Sequence, residues 1–145
     1  MNIKYCWEIN SELNAFTIPI RFINPKKQLS MIKFCLFDTG FTGYFGLDKK
    51  TISELDLEQI GQGKAFTISS DINYENYLVQ AELIDDKQAV LGKVKNIDES
   101  LDVKKQNDIS VQQFKLPLIG IKSIIQFSWL ILEGKKWVCL IDDKL

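Results

Sequence analysis

Apolar and polar residues alternate most clearly in AFTIPIRFIN, where Phe16, Ile18 and Ile20 share one face of an extended segment. KYCWEIN before it and MIKFCLF after it are also rich in aromatic and β-branched residues, separated by SELN and PKKQLS, so the first third predicts a β-meander. DKKTISELDLEQIG then carries a helical signal. Asp48 or Thr51 can cap its start, Ile52, Leu55 and Ile60 form the apolar stripe, and Gly61-Gln62-Gly63 ends it. KAFTISS and NYLVQAELI predict a pair of strands with SDINYE as the hairpin tip, and QAVLGKVK predicts a further strand. Residues 96–108 are polar and weakly patterned, which reads as a surface loop. ISVQQFKLPLIG returns to strand, IKSIIQFS makes a turn or two of helix, and WLILEGKKWVCLID forms a hairpin turning at Glu133 to Lys136. Many short strands with two short helices indicate one mainly β, barrel-like domain over residues 1–145.

Charge adds little to this picture. The net charge is −1, and each basic doublet stands beside acids or in a turn, which argues against a nucleic-acid surface. Residues 116–132 are apolar over nearly a membrane span. Pro117, Gly120, Lys122 and Gln126 divide them into strand, helix and strand, so no membrane partner is expected. Cys6, Cys35 and Cys139 form neither an even set nor a CxxC pair and are expected to be free, buried thiols. With no secretory leader in MNIKYCWEIN, the expected location is cytoplasmic. Histidine is absent, which removes Ser-His-Asp and Cys-His chemistry and the usual zinc sites, and no metal or other cofactor is expected.

One stretch carries candidate chemistry. In CLFDTGFTGYFGL an apolar strand runs into Asp38, followed by Thr39 and Gly40. A strand-terminal Asp can simply fold back on the next amides as an Asx-turn. Here, however, a second pattern, Pro117-Leu118-Ile119-Gly120-Ile121, follows about eighty residues later. Leu36 to Gly40, the strand Tyr44 to Leu47 and the later Leu118 to Gly120 together resemble the retropepsin-like aspartic proteases, in particular the small prokaryotic single-domain branch. The resemblance runs over residues 15–132 and places a flap at the 64–84 hairpin.

The resemblance implies a closed acid-protease β-barrel and an aspartic endopeptidase. Its catalytic residues would be Asp38, Thr39 and Gly40, with Ser69, Ser70, Asp71, Ile72 and Gly120 against the substrate. In that family two aspartates hold one water and share a proton, and this chain has one Asp-Thr-Gly. The implied partner is therefore a second copy of the chain, and the implied substrate an extended polypeptide. Three features differ from the family pattern: FTISSDINYENY has no glycine, Ile121-Lys122 follows Gly120, and residues 96–108 are an insertion. The alternatives are a catalytically inactive retropepsin-like dimerisation or peptide-binding module, and an unrelated small β-barrel with an Asx-turn at Asp38.

Overall fold

The computed structural model describes residues 2–66, 71–98, 106–132, 134 and 136–142, with the backbone alone over 62–66 and 71–74. These residues contain eleven strands and two short helices, so the mainly β expectation holds. The order is β1 (Asn2–Glu8), β2 (Thr17–Ile23), β3 (Ser30–Phe37), β4 (Phe45–Leu47), α1 (Lys49–Glu54), β5 (Gln59–Phe66), β6 (Asp71–Ile84), β7 (Val90–Lys93), β8 (Ile109–Gln113), β9 (Leu118–Ile119), α2 (Ile121–Ile124), β10 (Ser128–Leu132) and β11 (Trp137–Asp142).

The larger sheet runs β2-β3-β9-β4-β8-β6-β5, and β2 also pairs with β6, which joins the sheet into a ring. In β2 the large interior side chains recur at every second residue, with Thr17 and Pro19 buried as well. Ile18, Ile20 and Phe22 of β2 are fully buried, and Phe22 meets Phe45 edge-on at 5.0 Å between ring centroids. Each such side chain contributes about 1.5–3 kcal/mol on leaving water. Phe16 packs at the margin of this core.

A second sheet, β1-β11-β10, joins the two ends of the described chain. Cys6 stands directly opposite Cys139 in the β1–β11 register, and the two form a disulfide. The expectation of three free thiols is thus corrected for this pair. Their partnership depends on strand register between residues 133 apart, which cysteine spacing does not reveal. Cys35 is free and fully buried, and burial pushes its thiol pKa well above the ordinary value. Trp129 ties the two sheets together, packing against Trp7 at 6.3 Å, Phe127 at 6.2 Å and Phe37 at 5.2 Å. Its indole N–H donates to Ile124 O at 2.8 Å.

Three local expectations change. α1 ends at Glu54 rather than at Gly61, because Asp56 is left-handed (φ 51°) and the Asn24 amide donates to Leu55 O and Asp56 O at 2.9 and 3.0 Å. Gln59 to Phe66 is strand, and Ile60 is exposed instead of completing a helical stripe. ISVQQFKLPLIG is two strands, β8 and β9, which lie on either side of β4. Pro117 lacks an N–H, but its carbonyl accepts from Leu36 N at 2.9 Å and delivers β9 alongside β3. By contrast, residues 116–132 divide into strand, helix and strand as expected, and no described helix is long and apolar enough to cross a membrane.

Candidate functional site

Asp38 stands at the carboxyl end of β3, where two distant segments meet. β9 runs parallel to β3, with Leu36 opposite Leu118 and Phe37 opposite Ile119. On its other side β9 is antiparallel to β4, with Phe45 opposite Ile119 and Gly46 opposite Leu118. The chain therefore leaves β3, turns through residues 38–44 and returns as β4, while β9 fills the space between. Asp38 N–H continues the ladder by donating to Ile119 O at 3.0 Å.

The turn is held from both sides. Gly40 N–H donates to Asp38 Oδ1 at 2.9 Å, the Asx-turn bond. From α2 and its N-cap, Gly120 N–H donates to Tyr44 O at 2.9 Å, Ile121 N–H to Phe41 O at 2.8 Å and Lys122 N–H to Gly43 O at 3.3 Å. Gly120 is required by this approach, since a Cβ there would stand 2.2 Å from Gly43 O and 2.5 Å from the Phe41 ring. The buried Ser123 hydroxyl adds a bond to Tyr44 O at 2.8 Å. Asp38 is half-buried, and Thr39 and Gly40 are exposed. Asp38 Oδ1 is thus oriented by the backbone in a residue that stays partly exposed.

Of the residues expected at the site, Asp38, Thr39, Gly40 and Gly120 come together in this way. Asp71 and Ile72 are not turn residues. They open β6 and pair with Phe66 and Ala65, because the β5–β6 ladder runs further toward the tip than the polar run SDINYE suggested. Ser69 and Ser70 lie outside the described residues.

Sequence reasoning did not find the group behind the turn. Tyr44 is buried, and its hydroxyl lies 3.1 Å from both Asn96 Oδ1 and Asp98 Oδ2 while accepting from Ile97 N–H at 2.9 Å. Burial, with the Asp98 carboxylate beside it, pushes the Tyr44 pKa up to about 12, so the phenol stays protonated at neutral pH. Lys122 pairs with Asp98 Oδ1 at 2.8 Å, and its ammonium lies 5.3 Å from the centre of the Tyr44 ring. No spacing rule connects positions 44, 98 and 122, since only the fold brings them together. Among the described residues no group of His, Cys, Asp or Glu is placed to hold a metal ion.

No protein-family model matches this chain, and no curated protein matches it.

Proposed function

We propose that the chain is a homodimeric aspartic endopeptidase of retropepsin type, in which Asp38 from each of two copies holds the attacking water. The observation that carries this reading is the half-buried carboxyl group of Asp38 at the end of β3, with Oδ1 fixed by Gly40 N–H. Two such carboxyls at hydrogen-bond distance cannot both ionise, so they share one proton. One then takes a proton from water as general base, while its protonated twin polarises the peptide carbonyl. Neither histidine nor a covalent intermediate is required. An extended polypeptide would lie along the β5–β6 hairpin and exchange main-chain hydrogen bonds with it. Phe41 follows Gly40 and offers no hydroxyl to the carboxylate.

The test pairs oligomeric state with cleavage. Wild type should sediment as a dimer and cut a denatured protein substrate, and Asp38→Asn should abolish cutting while leaving the dimer intact. A monomer at micromolar concentration would sink the proposal. A wild-type dimer inert toward every unfolded substrate would instead favour a retropepsin-like dimerisation or peptide-binding module, for which the Asx-turn at Asp38 is merely structural. The Cys6–Cys139 bond runs against the expected cytoplasmic location, since disulfides persist mainly in oxidising compartments.

A further inference from the structure

We propose that Tyr44, Asp98 and Lys122 form an intrachain latch that fixes the exit of the Asp38 turn, so that residues 96–98 are a positioning element for that turn. The inference rests on reading Asp38 as the reacting carboxyl group, but its structural half can be tested without turnover.

The turn leaves β3 at Asp38 and is rigid at its start, where Asp38 N–H joins the β9 ladder. Its exit is Tyr44, and every polar atom of the Tyr44 carbonyl and side chain is engaged. The carbonyl accepts from Gly120 N and Ser123 Oγ. The hydroxyl meets Asn96, Ile97 N–H and Asp98. Asn96 is itself anchored, donating from Nδ2 to Asp108 O at 3.0 Å and from N–H to Gln106 O at 2.8 Å. Asp98 N–H donates to Asn96 Oδ1 at 2.9 Å, which closes a local turn around the phenol.

Lys122 makes this a latch rather than a loop contact. Its backbone N–H holds Gly43 O, its ammonium neutralises Asp98, and its charge lies over the Tyr44 ring. One residue of α2 therefore touches the turn through its main chain and the 96–98 segment through its side chain. A phenol buried against a carboxylate remains a donor at neutral pH, so the Tyr44 hydroxyl keeps its bonds there.

The experiment uses amide hydrogen exchange on the full chain, together with cleavage kinetics. Tyr44→Phe keeps the ring and removes only the hydroxyl, and Lys122→Met keeps the stem and removes the charge. Each should speed exchange at Phe41, Ile121 and Lys122 on the order of tenfold, while Ile20 and Val79 in the ring sheet keep wild-type protection. The double variant should be less than additive, and Lys122→Arg should restore most of the protection. In cleavage, kcat should fall on the order of tenfold with KM little changed. Unaltered exchange in the turn, or equal acceleration at Ile20 and Val79, would overturn the latch. Faster exchange with unchanged kcat would overturn its positioning role. If wild type cuts nothing while the turn loosens as expected, the latch stands and the hydrolase reading is what falls.

Discussion

The Asp38 turn and the β1-β11-β10 sheet are both assembled from segments far apart in sequence, but they are secured by different means. Around Asp38 the contacts are main-chain hydrogen bonds from β9 and α2, admitted by a glycine at position 120. In the terminal sheet the antiparallel strand ladder is reinforced by a disulfide and an aromatic group centred on Trp129. The first arrangement sets backbone positions closely and tolerates little change of shape. The second supplies cohesion without aiming any polar group. A site that must orient a carboxyl group needs the first kind, whereas joining two chain ends needs only the second.

The largest effect should come from breaking the covalent tie. A bridge across a separation of 133 residues restricts the unfolded chain by about 5 kcal/mol on the chain-entropy account. Reduction by a dithiol, or Cys6→Ala with Cys139→Ala, should lower Tm by about 10–20 °C. Amide protection in residues 38–44 of the remaining folded molecules should change little, since none of their hydrogen bonds comes from β1, β10 or β11. An unchanged Tm would show that the strand ladder and the aromatic packing hold the terminal sheet without the bridge.

Gly120→Ala attacks the other region. The added methyl must displace the Gly43 carbonyl, so unfolding free energy should drop by about 1–3 kcal/mol. Gly134→Ala, which meets nothing within 4 Å, should stay within about 0.5 kcal/mol of wild type. Equal losses in urea titration would mean that the close approach at Gly120 does not constrain the turn.

Much of the ring sheet was legible because its signals are local. The alternation in β2 survives as the buried face of Ile18, Ile20 and Phe22, and the interruptions between 116 and 132 correctly divide β9, α2 and β10. At the candidate site, Asp38, Thr39, Gly40 and Gly120 were legible from the two short patterns around them. What escaped depends on remote partners. Asn24 ends α1 from thirty-one residues away, Leu36 recruits the Pro117 carbonyl, Cys6 finds Cys139 only through register, and Tyr44 finds Asp98 and Lys122 only through the fold. Asn24→Ala checks the first of these. With both helix-end carbonyls deprived of their donor, stability should fall by about 1–2 kcal/mol in chemical denaturation, and no loss would mean that the left-handed Asp56 is sufficient to end α1.

The smallest effect belongs to a contact near the turn that is both local and legible. Between the two caps that sequence allowed, the structure uses Asp48, which follows β4 directly and accepts from Thr51 N–H at 3.1 Å and from the Thr51 hydroxyl at 2.7 Å. Burial pushes the Asp48 carboxyl pKa up, but the Thr51 hydroxyl and amide bonds and the Lys33 ammonium, 4.0 Å away, together outweigh it and hold the group below its ordinary value of 3.8. A carboxyl whose pKa is lower in the folded than in the unfolded chain stabilises the fold above the unfolded value and loses that contribution as pH falls through the folded one. Asp48→Asn retains an N-capping acceptor and removes the charge. In urea titrations it should cost about 0.5–1 kcal/mol at pH 6, and the difference from wild type should shrink steadily below pH 3.8. A gap that stayed constant from pH 6 to the acid limit would assign the stabilisation to cap geometry alone, leaving the carboxylate charge without a part in holding β4 to α1.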